Sequence, residues 1–344
     1  MGGGIVGPLG AALQPPLARP AGRATVPRMN DTPDAVTVRE VGLRDGLQIL
    51  ARTVPTAHKI AWLQGAHAAG LRAFEVGSFV PPRLMPQLAD TAELVAAGRA
   101  LPGAVVSVLV PNLRGAERAL ASGAHAMLMP VSASRAHSRA NLRRTPDEAV
   151  AELARIAAAR DRHAAETGQR VRLEVGLSTA FGCTIQGRVD EAEVLRLLDA
   201  AVAAGADELG LADTVGYADP EQVRRLFTAA RAVHGARVAR GHFHDTRGLG
   251  LANVYAAWQT GVRRFDACLG GLGGCPHAPG ASGNVATEDV AYLFASMGVA
   301  TGLALPELLR LRGDLAAWLP GEPLRGSIAG AGLPRTLQAQ AVAA

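Results

Sequence analysis

His242 and His244 stand two residues apart in the run GHFHD, Gly241 to Asp245. Side chains alternate on a β-strand, so both imidazoles face one way and Phe243 the other. Two imidazoles at a strand end supply half of a metal site. The other chemistry-bearing residues lie far away in the chain but in the same kind of place, a junction between an apolar run and a polar loop. Arg44 and Asp45 follow VREVG, Glu75 closes LRAFEVG, Asp213 closes ADELGLAD, and Cys275 and Asn284 lie in GLGGCPHAPGASGN. Asp45, His242, His244 and Asn284 would offer two nitrogens and two oxygens. Completed by water or substrate oxygens, such a set suits six-coordinate Mg²⁺ or Mn²⁺ better than a closed tetrahedral Zn²⁺ site, although zinc accepts the same ligand types. Arg44 beside it would place a permanent cation where an oxyanion develops. Cys275 sits in a loop so rich in glycine that mobility, or close approach of backbone to ligand, is expected there, which makes it a candidate lid. Cys183 and Cys268, the latter read as mid-strand in FDACL, are expected to be buried and inert.

These residues need a scaffold that brings strand ends together. Beyond Asp34 a unit recurs: a helix closed by glycine, an apolar strand, then a polar loop. The helices end at Gly70, Gly123, Gly205 and Gly261, each placed to adopt the left-handed position past a helix end. Eight strand candidates begin near residues 36, 71, 104, 124, 171, 207, 237 and 264. Between them TPDEAV and DPEQV open helical stretches with a cap, a first-position proline and first-turn acids. The alternation predicts a (β/α)8 TIM barrel. A doubly wound sheet is the alternative, but GLRDGLQ lacks the phosphate-binding glycine pattern expected after its first strand. A barrel requires active residues at C-terminal strand ends, and Asn112, Ser132, Ser134, Ser178 and Thr179 fall at such ends as well.

Composition narrows the chemistry. Hydrophobic residues make up 49% of 344, enough for a large core, with no uninterrupted apolar run long enough to span a membrane. Three cysteines fit a reducing, cytoplasmic setting. The net charge of +5 is scattered, and aromatics are only 4% of the chain, so a nucleic-acid partner is not expected. Lys59 is the single lysine and follows no phosphate-binding loop, which argues against both Schiff-base chemistry and a P-loop nucleotide site. Residues 1–34, rich in Gly, Pro and Ala, read as a disordered extension with Met29 a candidate first residue. The catalytic barrel is expected over 35–302, with a C-terminal helical segment over 303–344 packed on it.

EVGLRDGLQ, EVGSFV, LADTVG, GHFHDT and above all GLGGCPHAPGASGNVATEDV resemble the hydroxymethylglutaryl-CoA lyases, metal-dependent TIM barrels with an Arg-Asp signature, from about Val36 to about Gly302. The resemblance implies that Asp45, His242, His244 and Asn284 hold a divalent cation, Mg²⁺ or Mn²⁺. It implies that Arg44 binds substrate and stabilises the enolate, that Cys275 is the catalytic acid, and that Glu75 and Asp213 support acid/base chemistry. Cleaving 3-hydroxy-3-methylglutaryl-CoA to acetyl-CoA and acetoacetate also needs a carboxylate or imidazole, His242 among them, to take the hydroxyl proton. A homodimer acting on an acyl-CoA in leucine degradation is implied too. The chain departs from the family at Arg247 and Leu249, where Tyr and Gln are usual, and at Ile49 and Leu50, expected near the acyl pocket. A different 3-hydroxy acyl-CoA is therefore an alternative substrate. A Claisen-type synthase is a rival that the Cys275 loop argues against, and a barrel kept only for binding would have lost a ligand position.

Overall fold

The computed structural model describes residues 1–3, 35–274, 283–335 and 337. The chain divides into two units between Pro33 and Asp34. The expected disordered extension over residues 1–34 therefore lies, but for residues 1–3, outside the described residues.

Eight strands run β1 Thr37–Glu40, β2 Ala73–Ser78, β3 Val105–Leu109, β4 Ala126–Ser132, β5 Arg172–Ser178, β6 Glu208–Asp213, β7 Val238–Phe243 and β8 Arg264–Ala267. They form a closed barrel in sequence order. β8 returns parallel to β1, pairing Thr37 with Arg264 through Glu40 with Ala267. Every strand starts within two residues of its expected position. Cys268 is the local exception, standing just past β8 rather than within it.

The helices around the barrel are α1 Thr56–Ala68, α2 Thr91–Arg99, α3 Leu113–Ser122, α4 Arg135–Leu142, α5 Pro146–Thr167, α6 Glu191–Ala203, α7 Pro220–His234, α8 Gly250–Gln259, α9 Thr287–Ser296, α10 Leu305–Trp318 and α11 Ile328–Ala331. Thr145 opens α5 with a reciprocal box, its hydroxyl accepting from Glu148 N while the Glu148 carboxylate accepts from Thr145 N. Asp219 caps α7 by accepting from the backbone of Glu221 and Gln222. α10 buries Leu305, Leu308, Leu311 and Leu315 and packs on α1. That contact is close enough at Gly65 that a Cβ there would stand 2.6 Å from Leu311 Cδ1. The lysine on α1 turns inward: Lys59 is 1% exposed, with Nζ 2.8 Å from Asp90 Oδ1 and 2.6 Å from the carbonyl of Gln87.

TIM barrels usually fill their interior with branched apolar side chains. Here one interior layer is charged. Arg39 of β1 bonds Asp266 of β8 and, at 2.8 Å, Glu174 of β5. Arg240 of β7 reaches Glu208 of β6 at 2.6 Å and Glu174 at 3.1 Å. Apolar patterning gave no hint of this layer, because single charges inside short strands look like solvent-facing positions until the barrel closes around them.

Candidate active site

The segment after β1 coils into a wide π-helical turn, Gly42–Gly46, that carries both Arg44 and Asp45. Gly42 makes the turn possible, since a Cβ there would overlap the Trp62 ring and stand 2.5 Å from Glu40 Oε1. The turn aims Asp45 at the end of β7. Asp45 Oδ2 lies 3.5 Å from His244 Nε2 and 3.8 Å from His242 Nε2, and the two Nε2 atoms are 3.1 Å apart. The expected ligand trio thus meets in one place, with potential donor atoms all within 4.8 Å of one another.

The fourth expected ligand is there too. Asn284 follows the β8 loop and donates Nδ2 to Asp45 Oδ2 at 2.7 Å and to the carbonyl of Leu272 at 3.1 Å. Its Oδ1 is buried and has no hydrogen-bond partner among the described residues. An orphaned buried acceptor beside a carboxylate and two imidazoles is what an oxygen- and nitrogen-seeking divalent cation would satisfy, so the residues present fit such an ion. Gln48, not anticipated, orients the carboxylate by donating Nε2 to Asp45 Oδ1 at 2.8 Å.

The charges are arranged to keep Asp45 ionised. Burial alone would raise its carboxyl, but the Arg44 guanidinium, a hydrogen bond from His244 and the two imidazoles hold it well below the usual carboxylate range. For His242 burial pulls downward, yet the hydrogen bond to Asp266 and the charge of Asp45 leave the imidazole raised. Arg44 Nη1 sits 2.5 Å from Asp45 Oδ1 and Nη2 2.8 Å from Glu75 Oε2, while its buried Nε has no partner among the described residues. Glu75 therefore grips the guanidinium. Asp213 accepts the backbone N–H of Tyr217 at 2.8 Å and of Ala218 at 3.1 Å, so it shapes the β6–α7 loop. Burial raises its carboxyl in spite of those donors.

A cavity of about 690 Å³ opens over this cluster, lined by Arg44, Asp45, Gln48, Asn112, Ser178, His242 and His244, with Arg83, Arg143 and Arg144 also on its walls. Glu75 and Asp213 are not among the lining residues, which fits the gripping and shaping contacts above. Ser132, Ser134 and Thr179 tie loops instead: Ser132 Oγ meets His137 Nδ1 and Thr179 Oγ1, each at 2.9 Å, and Ser134 caps α4. Cys275 lies outside the described residues. Gly274, immediately before it, lines the cavity.

Two departures from the family sit elsewhere than expected. Ile49 is 40% exposed and Leu50 is packed in the core; neither borders the cavity, because the turn hands that side to Gln48. Arg247 stacks over the Tyr217 ring at 4.4 Å and donates to the carbonyls of Val215 and Gly216, clasping the β6–α7 loop from a separate groove.

Beneath the turn, Glu40 accepts from Gly42 N at 2.9 Å, from Leu269 N at 3.0 Å and from Thr287 Oγ1 at 2.7 Å. Burial pushes its carboxyl up to about 7 from 4.5, despite these donors. Burial likewise pushes Glu288 up to about 7. A carboxyl raised on folding contributes stability that is full below its unfolded value and is lost as pH rises through its folded value. Thermal melts should therefore show Tm falling as pH climbs from about 4.5 to about 7, and Glu40→Gln should flatten that fall. An unchanged slope in the variant would remove Glu40 from the account.

Comparison with known proteins gives a consistent picture. The HMGL-like family profile matches residues 35–314. The hydroxymethylglutaryl-CoA lyase YngG of Bacillus subtilis is 39% identical over 295 residues, covering 85% of this chain and 95% of its own. The (R)-citramalyl-CoA lyase of Chloroflexus aurantiacus is 39% identical over 310 residues, covering 87% and 95%. A solved HMG-CoA lyase from Acinetobacter baumannii, in complex with coenzyme A and 3-methylmalate, aligns with a TM-score of 0.81 at 38% identity, covering 88% of this chain and 96% of that one.

Proposed function

The chain belongs to the HMGL-like family, and on that premise we propose that it is a divalent-metal-dependent carbon–carbon lyase cleaving 3-hydroxy-3-methylglutaryl-CoA to acetyl-CoA and acetoacetate. The observation that carries this reading is the meeting of Asp45, His242, His244, Asn284 and Arg44 at one end of a cavity large enough for an acyl chain.

A divalent cation, Mg²⁺ or Mn²⁺ in this reading, would be held by Asp45, His242, His244 and Asn284 and would supply Lewis acidity toward substrate oxygens. The chain's own residues do the rest. Arg44, gripped by Glu75, presents a fixed cation to the thioester oxygen as negative charge develops there. Asp45 is held ionised as a ligand and both nitrogens of His242 are engaged, so this reading gives the hydroxyl proton to Asp213, whose carboxyl burial raises. Cys275, next to cavity-lining Gly274, delivers its thiol proton to C2 and so completes acetyl-CoA. Arg83, Arg143 and Arg144 give the cavity walls a positive charge suited to the phosphates of coenzyme A.

The citramalyl-CoA lyase relative supports a second reading of the same site. Its substrate differs by one methylene between the carbinol carbon and the carboxylate, a difference worth only about 1–3 kcal/mol in discrimination. Cleavage there would release pyruvate in place of acetoacetate. A homodimer, a place in leucine degradation and a reducing, cytoplasmic compartment complete the proposal. The last is supported by Cys183 and Cys268, both buried free thiols. Among the described residues no helix is long and apolar enough to cross a membrane.

Purified protein given 3-hydroxy-3-methylglutaryl-CoA with Mg²⁺ or Mn²⁺ should release acetyl-CoA and acetoacetate together, stop on chelation and resume when metal returns. Release only from citramalyl-CoA would select the second reading. Chelator-resistant turnover would sink the metal mechanism.

A further inference from the structure

We propose that Asp266, clamped by Arg39, is a positioning residue that fixes the ring orientation and tautomer of His242 so that Nε2 is left free to bind the metal. The proposal rests on the metal reading above, and it concerns two residues that the reaction chemistry alone does not call for.

The geometry comes from barrel closure. His242 on β7 is the register partner of Asp266 on β8, and Asp266 is in turn the partner of Arg39 on β1. The three side chains therefore stand abreast on adjacent strands. His242 Nδ1 lies 3.2 Å from Asp266 Oδ2. Arg39 grips both oxygens of that carboxylate, Nε to Oδ1 at 2.8 Å and Nη2 to Oδ2 at 2.9 Å. Such a planar fork admits one carboxylate orientation. Arg39 is itself held by Glu174 at 2.8 Å and by Ser107 Oγ at 3.3 Å, so the clamp is anchored to β5 and β3. Arg39 and Asp266 are 2% and 3% exposed, so the clamp is buried at the floor of the cavity.

The chemistry follows from the donor inventory. A carboxylate doubly bonded to a guanidinium can only accept, so the proton it shares with His242 belongs to Nδ1. A neutral imidazole protonated at Nδ1 keeps its lone pair on Nε2, the atom facing Asp45 and His244. A carboxylate behind a metal-binding histidine commonly sets ring orientation and ligand basicity in this way. A buried ion pair that merely held the barrel together would make no demand on which nitrogen of His242 carries the proton.

The test uses the full-length protein and two variants, Asp266→Asn and the double substitution Arg39→Met with Asp266→Asn, which removes the pair as a unit and leaves neither charge alone. Nitrogen-15 NMR of histidine-labelled, metal-free protein should show His242 protonated at Nδ1 in the wild type and a mixed or reversed tautomer in the variants. Mn²⁺ affinity, followed by calorimetry without substrate, should fall by about 10–100-fold. With the ring neutral at the pH of measurement, wild-type His242 protonated at Nε2 in place of Nδ1 overturns the proposal, as does a folded variant with unchanged tautomer and Mn²⁺ affinity. Should neither variant fold, the wild-type tautomer still decides. A wild type that binds no Mn²⁺ would overturn the metal reading together with this one, whereas equal binding by wild type and variant overturns only the clamp.

Discussion

His242→Ala is expected to abolish metal binding and turnover together. The substitution removes one of the two imidazoles whose Nε2 atoms face each other at 3.1 Å, leaving Asp45, His244 and Asn284 as an incomplete set. Lewis-acid stabilisation is worth several kcal/mol, so kcat should fall by at least about 1000-fold. Folding should survive. Asp266, which loses its contact with His242, keeps two bonds to Arg39 and a longer one of 3.4 Å to Arg240, so no buried charge is stranded. A calorimetric Mn²⁺ titration beside a product assay checks both halves. Wild-type Mn²⁺ affinity in the variant would remove His242 from the ligand set.

Cys275→Ala should separate the acid from the metal. Loss of a general acid costs about 10²–10⁴-fold in rate. The proposed ligand set is untouched, so Mn²⁺ affinity should stay at the wild-type level while kcat drops. Neither other thiol can substitute. Cys183 and Cys268 are buried, and burial next to the carboxyls of Glu40 and Asp45 pushes the Cys268 thiol up, further from any role as proton donor at neutral pH. Full activity in Cys275→Ala would assign protonation of C2 to another group.

Strand positions were legible because short apolar runs recur along the chain, four of them directly after a glycine that closes a helix. Gly123 ends α3 at φ 76° and Gly205 follows α6 at φ 97°, both in the left-handed region where glycine is favoured. Asp45, His242 and His244 were legible because metal-ligating types recur at strand ends, where a barrel gathers them. Asn284 was legible from its loop, although its orphaned Oδ1 belongs to the fold alone. Arg39 and Asp266 stayed hidden for a topological reason: 227 residues separate them, and only the β8–β1 pairing that closes the barrel makes them neighbours. Asp213 was legible as an acid/base or positioning group from its place at the end of β6, but the backbone N–H groups of Tyr217 and Ala218 that it accepts belong to the fold alone. Leu50 was placed by proximity to Asp45 in the chain, and the π-helical turn sends it into the core.

The inward-turned lysine of α1 bears on the enzyme's own survival. Acyl-CoA thioesters acylate free amines without help, and a protein bathed in them is exposed to that damage at every accessible lysine. The chain has one lysine in 344 residues, and its ammonium is buried against Asp90. A charged, ion-paired ammonium has no lone pair to offer a thioester. The surface cations are guanidiniums, which keep their proton and are poor nucleophiles. The protein can thus carry a positive surface toward an anionic thioester while presenting no lysine side chain for it to modify.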